Sequence, residues 1–265
     1  MNILHNRRAL VFRVSVKVML LVLMPVLYTQ AQSTITLHFD NVTGDKDLEL
    51  NSGKYVNAAG EEFSVSILQY FISNIQFTSV DGSVYTVPQD SSYFFVQEDD
   101  SLSQQCRIHV PKGAYKAVNF VVGIDSLRSV SKIDKRKGVL DPSATNMYWG
   151  WNSGYIFFKM EGFSTAAPED AIGLKKYRYH VGGFGGYNTS TINNIKNIHL
   201  DLPANGFTLK ENSKASIFIK ADIVKVFNAA LPLSIATHYS IMFDTFSTTV
   251  ADNYANMFSV AAIEN

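Results

Sequence analysis

Apolar and polar residues alternate along most of the chain after residue 32, which is the pattern of β-strands that bury one face. In Thr34–Phe39, "TITLHF", every second residue is apolar and His38 falls on the opposite face. Similar segments recur along the chain: "FSVSILQYFISNIQFTSV", "SYFFVQ", "CRIHV", "AYKAVNFVVGID", "KKYRYHVGG", "IKNIHLDL" and "ASIFIKADIVKVF". Glycine, asparagine, aspartate and proline lie between them. The pattern predicts an all-β fold, an antiparallel β-sandwich or alternatively a barrel.

Turn signals divide these strands without marking a domain boundary. Asp81–Gly82 predicts a β-hairpin, and Pro111–Gly113 predicts a tight turn between the strands "CRIHV" and "AYKAVNFVVGID". The polar stretch Ser126–Lys137 is expected to be a long surface loop, and only the tail, Thr249–Val260, is expected to form a short helix. Because neither a low-complexity linker nor a repeat is present, residues 32–265 are expected to form a single domain.

The first 31 residues have the features of a signal peptide that is removed on export. A basic start without acidic residues precedes Val18–Leu27, "VMLLVLMPVL", an apolar run of about 10 residues that is too short for a bilayer, which requires roughly 20. Thr29–Ala31 is a cleavage site of the small-x-small kind. We therefore expect a periplasmic or secreted protein without a membrane span.

Loss of this segment changes the net charge. The chain has 23 basic and 23 acidic residues, and the segment 1–31 contains four of the basic ones, so the remainder has 19 basic and 23 acidic residues. A mildly acidic protein argues against nucleic acid as a partner, because nucleic acid requires a basic face. The single cysteine, Cys106, excludes an internal disulfide. Its alternating context predicts a buried side chain.

Both tryptophans fall in one segment, Met147–Gly162, "MYWGWNSGYIFFKMEG". Trp149 and Trp151 lie two residues apart beside small residues such as Gly150, and in an extended chain both indoles would share a face. One interpretation is structural, since two indoles can anchor the core of a sandwich. The other is a binding surface, on which exposed indoles would stack against sugar rings or a peptide.

The histidines offer a second kind of candidate chemistry. His38, His109, His180 and His199 fall on the polar side of their predicted strands, where most histidines simply face water. His180 differs because "VGGFGGYN" follows it, which is either a loop that a ligand approaches closely or a turn with bulges. Imidazole binds zinc, copper, iron and nickel. No HxxxH, HExxH, CxxC or CxxCH spacing is present, so a metal site would have to be assembled across strands.

Signatures of enzymes are absent from the sequence. It contains neither a GxSxG nucleophile elbow nor a P-loop, and no helical pattern follows "HVGGFGG", as a dinucleotide site would require. Two carboxylates from distant positions can form a hydrolytic pair, but the sequence singles out no such pair. The sequence therefore predicts a protein without catalytic residues.

The tryptophan segment carries a resemblance to a known family. The dipeptide DP at 141–142, the block MYWxWxxGY at 147–155 and KxEG at 159–162 resemble the signature of the MbnP-like family, which comprises secreted bacterial proteins associated with copper binding and methanobactin-type copper handling. "YRYHVGG" resembles the histidine–glycine segment of the family, with His180 at the motif histidine. The resemblance covers most of residues 34–245. With one cysteine, the chain is similar to a cysteine-poor branch found in Bacteroidetes-like organisms.

The resemblance implies a copper(I)-binding protein whose tryptophan is oxidised to kynurenine by a dihaem peroxidase-like partner. Kynurenine carries an aromatic amine that can help histidine to ligate copper(I), and methionine is a further soft ligand. The expected site combines a tryptophan-derived ligand, the motif histidine, a second histidine and a methionine: Trp149 or Trp151, His180, His38 or His109, and Met147. The alternative function is a non-catalytic carbohydrate- or peptide-binding sandwich without a metal.

Overall fold

The computed structural model describes residues 33–151, 154–203 and 206–265. The expected signal peptide and its cleavage site lie outside these described residues. The described strands are β1 Ser33–Thr43, β2 Lys46–Asp47, β3 Tyr55–Val56, β4 Glu62–Ser79, β5 Val84–Thr86, β6 Tyr93–Gln97, β7 Gln105–Val110, β8 Gly113–Val122, β9 Tyr148–Trp149, β10 Gly154–Ser164, β11 Lys176–Gly182, β12 Lys196–Asp201, β13 Phe207–Leu209, β14 Lys214–Asp222, β15 Ser240–Ile241 and β16 Phe258–Glu264.

Helices are short by comparison. The described α-helices are α1 Ser126–Ser129, α2 Pro142–Thr145 and α3 Ser247–Tyr254, and the 3₁₀ helices are Gln89–Ser91, Ile133–Lys135, Gly138–Leu140 and Ile223–Phe227. None of the helices in the described ranges has the length and apolarity that a membrane crossing requires.

The described strands form two sheets. The small sheet has the order β16-β14-β1-β2, with β7 also paired to β1. The large sheet has the order β12-β8-β4-β10-β11-β15; β13 pairs with β8, β9 pairs with β10, and β3, β5 and β6 pair with β4. Neighbouring strands are antiparallel except for the pairs β1–β14 and β11–β15, which are parallel. The predicted all-β sandwich of mainly antiparallel strands is therefore confirmed.

One hydrophobic core lies between the two sheets. The alternate residues Ile35, Leu37 and Phe39 of β1 are buried in it. The ring of Phe39 meets the ring of Phe120 from β8 edge-on at 5.6 Å, and Phe258 from β16 contacts both rings. Burial of each large apolar side chain stabilises the fold by about 1.5–3 kcal/mol. These contacts therefore hold the sheets face to face.

The chain between β8 and β10 covers the outer face of the large sheet and forms a second core. The stretch expected to be a surface loop, Ser126–Lys137, belongs to this covering segment and contains α1. Tyr155 donates a 2.6 Å hydrogen bond from its hydroxyl to the carbonyl oxygen of Leu140. The guanidinium of Arg136 lies 5.7 Å from the centre of the Tyr155 ring. The second core consists of Phe71, Phe95, Ile124, Leu140, Met147, Trp149, Tyr155, Ile156 and Phe157.

The two predicted turns have different outcomes. The Asp81–Gly82 hairpin is present, since Thr78 of β4 opposes Val84 of β5. The turn at Pro111–Gly113 does not close a hairpin, because β7 pairs with β1 in the small sheet whereas β8 pairs with β4 in the large sheet. This turn carries the chain from one sheet to the other. Local residues specify a turn, but the partners of each strand lie far away in the chain.

The C-terminal tail contains the predicted short helix with different bounds. α3 begins two residues before the predicted start at Thr249, and it ends at Tyr254. The residues that follow form β16, in which Phe258 pairs with Ala221 and Ile263 pairs with Ile217. Pairing with the edge of the small sheet therefore decides the conformation of the last residues. Cys106 is buried and unpaired, as the alternation of its strand predicts.

Candidate functional site

The tryptophan block begins with a turn that local chemistry specifies. Asp141 accepts a hydrogen bond from the backbone N–H of Ser143 and caps α2, whose first residue is Pro142. Asn146 ends this helix in the left-handed conformation, at a φ of +57°, which asparagine tolerates better than most residues. The chain then enters β9, where Trp149 pairs with Gly154 of β10.

The two indoles have different environments. Trp149 is buried in the second core with 6% of its surface exposed, whereas Trp151 is 67% exposed. Their ring centroids are 5.4 Å apart with a tilt of 42° between the planes. Trp149 thus fits the structural interpretation and Trp151 fits the interpretation as a binding surface.

A glycine in β11 receives the indole of Trp149. A Cβ atom at Gly182 would clash with the carbonyl oxygen of Tyr155 and would lie 2.8 Å from Trp149 Cζ3. Real Cβ atoms do not approach other atoms so closely, so only glycine permits this packing. The ring of Phe243 meets Trp149 edge-on at 6.1 Å. The indole is therefore held between the backbone of β11 at Gly182 and the ring of Phe243, which comes from a loop distant in sequence.

His180 lies two residues before Gly182 on the same face of β11, because side chains of a strand alternate between faces. Two residues of strand span roughly 7 Å. The residues between and before them, Val181 and Tyr179, are buried in the core on the other face. His180 and the glycine that receives the indole of Trp149 therefore share the outer face of the large sheet.

A carboxylate orients the imidazole. His180 donates from Nε2 to Glu161 Oε1 at 2.8 Å, and Lys159 Nζ lies 3.7 Å from the same oxygen. The hydrogen bond from His180 lowers the pKa of Glu161, while burial opposes this shift and the charges of Lys159 and Arg178 add to it. Glu161 is therefore an ionised acceptor at neutral pH, and it holds Nε2 of His180 as a hydrogen-bond donor.

The other expected histidines belong to the opposite sheet. His38 of β1 stacks on Phe218 with ring centroids 4.7 Å apart, and its Nε2 lies 3.2 Å from Ser216 Oγ. Burial lowers the pKa of His38. His109 of β7 lies with its Nδ1 3.5 Å from Thr34 Oγ1. Both imidazoles face outward from the small sheet, and His180 faces outward from the large sheet.

The structure consequently does not bring His38 or His109 to His180, and the expected pairing of these histidines is corrected. Strand alternation puts each imidazole on the outside of its own sheet, and the core between the sheets separates them. Met147 is fully buried in the second core, where it packs among apolar side chains. Within the described ranges no three His, Cys, Asp or Glu residues are grouped so that they could hold a metal ion.

A groove borders the tryptophan block on the side of the glycine-rich loop. Gly183, Gly185 and Gly186 all have positive φ angles, and the loop is closed by a bridge between Phe184 and Asn193. The glycines thus build a tight turn beside a groove with a volume of about 530 Å³, which lies within the range of small-molecule sites. The lining residues include Gly154, Phe184, Tyr187, Thr189, Thr191 and Phe243.

Sequence reasoning missed two residues of this surface. Glu161 is on the polar side of β10 within the KxEG motif, so its alternation with Met160 signalled exposure but did not identify its partner. The β10–β11 register supplies that partner, because Lys159 stands opposite His180. Phe243 comes from a loop far away in the sequence, and nothing in its local pattern indicates contact with a tryptophan.

The fold and this surface define a class of protein: a two-sheet β-sandwich whose large sheet carries a tryptophan block and a carboxylate-bound histidine on its outer face. The family model of MbnP matches residues 32–243, and the chain belongs to this family, which confirms the resemblance seen in the tryptophan block. A solved structure, MbnP from Methylosinus trichosporium, is similar with a TM-score of 0.55 over 81% of this chain and 82% of that chain. The two sequences are 12% identical, so the likeness shows a shared fold. No curated protein matches the chain.

Proposed function

We propose that this protein is an exported, non-catalytic copper-binding protein, and that its copper(I) ion binds at the surface formed by His180 and the tryptophan block. One observation carries the proposal: the indole of Trp149 packs on Gly182, two residues from His180 on the same face of β11, and the exposed Trp151 lies against that indole at a tilt of 42°. Imidazole is a copper ligand, and here it shares a face of the sheet with the tryptophan block.

The environment of His180 suits metal ligation. A metal-binding histidine usually donates its second N–H to a carboxylate, which fixes the ring and raises its basicity. Glu161 accepts from Nε2 of His180, so Nδ1 is the nitrogen available to a metal in this tautomer. Among the described residues, His180 is the histidine of this surface, and no group of three His, Cys, Asp or Glu side chains could hold a metal ion. The unmodified chain is therefore expected to bind copper(I) only weakly.

A modified tryptophan would complete the donor set, and Trp151 is the indole suited to it. Its 67% exposure leaves the ring open to an outside oxidant, whereas the burial of Trp149 does not. The oxidant in this proposal is hydrogen peroxide, used by a dihaem peroxidase-like partner. Two peroxide molecules deliver one oxygen atom each to C2 and C3 of the indole and leave as two waters, while the C2–C3 bond breaks and gives an N-formyl group and a ketone. Hydrolysis of the resulting formyl group releases formate and leaves kynurenine with a free aromatic amine.

The first prediction concerns copper affinity. In anaerobic titrations of native-host protein against a competing copper(I) chelator, Glu161→Gln is expected to lower the affinity about tenfold because the imidazole loses its ionised partner. His180→Ala, which removes the ligand, is expected to cost more than Glu161→Gln. His109→Ala is the matched control, since this imidazole lies on the opposite sheet and its loss is expected to change nothing. Equal losses for His180→Ala and His109→Ala would contradict the site.

The second prediction concerns the tryptophan block. In protein from the native host, fragmentation of the peptide that contains both tryptophans is expected to place the mass change of kynurenine on Trp151. Trp149 is expected to be unmodified. Trp151→Phe should abolish this mass change. In Trp149→Phe the mass change should remain on Trp151. Unmodified Trp151 in protein from the native host would end the kynurenine part of the proposal. It would leave copper binding by His180 to be decided by the titration.

A carbohydrate- or peptide-binding function is the second candidate, because Tyr187 is strongly exposed in the lining of the 530 Å³ groove and Trp151 is strongly exposed in the tryptophan block. Exposed aromatic rings with nearby amides and hydroxyls, here Asn188 and Thr189, are typical of such surfaces. This function requires that glycans or peptides change the fluorescence of Trp151 in the absence of copper. A response to copper and none to glycans favours the first candidate.

A further inference from the structure

A second cavity, with a volume of about 500 Å³, shares no lining residue with the tryptophan block or with the groove beside it. Its wall comes from two parts of the chain: the 3₁₀ helix Gln89–Ser91 with the start of β6, and the covering segment from α1 to Leu140. Five of the eight lining residues are charged or phenolic, and the other three are a glycine and two apolar residues. The residues that matter for its chemistry are Asp90, Tyr93, Arg128, Lys135, Lys137 and Leu140.

The charge of this cavity is opposite to that of the surrounding protein. The chain after residue 31 has 19 basic and 23 acidic residues, yet three cations line the cavity against the single carboxylate of Asp90. Lys135 and Lys137 are exposed, and in the described part of the chain neither lies within ion-pair distance of a carboxylate. The cavity therefore has an excess of positive charge, because Asp90 is paired with Arg128 and the charges of Lys135 and Lys137 remain unbalanced.

Arg128 is held in a fixed position. Its guanidinium lies over the ring of Tyr93, 5.3 Å from the ring centre, and its side chain is only 18% exposed. The phenol of Tyr93 donates to Asp125 Oδ2, and Asp125 also caps α1 by accepting from the backbone N–H of Arg128 at 2.9 Å. Burial raises the pKa of Tyr93 to about 12, so the phenol remains a neutral donor. The guanidinium is thus positioned before any ligand arrives.

Asp90 shows what the guanidinium recognises. Its carboxylate oxygen forms an ion pair with Arg128, but the aspartate side chain is 89% exposed. An exposed ion pair of this kind contributes little to stability, so the aspartate is easily displaced. The cavity therefore already binds one carboxylate, that of Asp90. The planar guanidinium of Arg128 matches the planar geometry of a carboxylate.

We propose that this cavity binds a small organic acid with two carboxylates on a flat apolar body. One ligand carboxylate replaces Asp90 on Arg128, and Lys135 and Lys137 neutralise the second. The apolar body contacts Leu140 and the ring of Tyr93. The volume of the cavity, about 500 Å³, lies within the range of sites that hold small molecules. No residue that lines this cavity belongs to the proposed copper site.

The test uses phthalate, a benzene dicarboxylate, titrated into the full mature chain by calorimetry and by amide chemical shifts. Asp90→Asn removes the internal competitor, so it is expected to tighten phthalate binding by about two- to fivefold. A gain in affinity cannot arise from a folding defect. The double variant Lys135→Gln/Lys137→Gln is expected to weaken binding by about fivefold or more, and binding should fall as salt is raised.

Lys132→Gln is the matched control, because Lys132 is an exposed cation of the same segment that does not line the cavity. It is expected to bind phthalate as the wild type does, and the uncharged phthalamide is expected not to bind. The proposal is overturned if phthalate fails to saturate the wild type, if Asp90→Asn leaves affinity unchanged or lower, or if Lys132→Gln weakens binding as much as the double variant does.

Discussion

Gly182→Ala is expected to lower the free energy of unfolding by about 2–3 kcal/mol, the upper part of the range for overpacking a core. Its Cβ would meet the carbonyl oxygen of Tyr155, which belongs to the backbone and cannot rotate away, and it would lie 2.8 Å from Trp149 Cζ3. The indole must therefore shift outward. In a Trp151→Phe background, where Trp149 is the only indole, its fluorescence emission is expected to move to longer wavelength as water reaches the ring.

Gly150→Ala is the control for this variant. Gly150 lies between the two tryptophans, directly after β9, and a Cβ there would meet nothing within 4 Å. The change is expected to stay within about 0.5 kcal/mol of the wild type, as surface substitutions usually do. Urea unfolding at constant pH gives both numbers. If Gly182→Ala were as stable as Gly150→Ala, with unchanged Trp149 emission, the contact between indole and strand would be disproved.

Glu61→Gln is expected to destabilise the protein by about 2 kcal/mol at pH 7, because charge-assisted hydrogen bonds contribute roughly 1.5–3 kcal/mol. Glu61 Oε1 accepts from Ser234 Oγ at 2.7 Å and from the backbone N–H of Ala236 at 3.0 Å. Its Oε2 accepts from the N–H of Ile235 and from Asn57, both at 2.7 Å. A glutamine presents donors where one of these oxygens accepts, so part of the set is lost.

The pH dependence of this effect has a defined sign. Burial raises the pKa of Glu61, but the hydrogen bonds from Asn57, Ala236, Ser234 and Ile235 outweigh burial, so that the pKa falls below its ordinary 4.5. A carboxyl group whose pKa is lowered by folding stabilises the protein above the unfolded pKa, and this contribution is lost as the pH falls through the folded pKa. The stability difference between wild type and Glu61→Gln should therefore shrink below pH 4.5.

Glu62→Gln separates this role from a general effect of charge. Glu62 is the next residue, is exposed, and its carboxylate lies 4.0 Å from Nζ of the exposed Lys54. Such a surface pair contributes at most about 1 kcal/mol, so Glu62→Gln is expected to be nearly neutral at pH 7. Urea midpoints for both variants, at pH 7 and at pH 3.5, make the comparison. A Glu61→Gln variant as stable as Glu62→Gln would show that this carboxylate does not hold the 234–236 turn.

The sequence by itself determined which face of each strand is buried. The alternation around His38, Cys106 and His180 predicted their sides correctly, because successive side chains of a strand point to opposite faces whatever its partners are. Turn residues such as Asp81–Gly82 were also readable, since they need only local backbone geometry. The motif around the tryptophans identified the family.

Only the tertiary structure decided which faces meet. His38, His109 and His180 all lie on the polar faces of their strands. The parallel pairing of β1 with β14 and the crossing at Pro111–Gly113 nevertheless put His38 and His109 in the other sheet. Likewise the sequence put both indoles on one face, whereas packing against Gly182 buried Trp149 and left Trp151 exposed. Alternation follows from the covalent chain, but strand partners depend on pairing between residues far apart in sequence, and no local pattern encodes it.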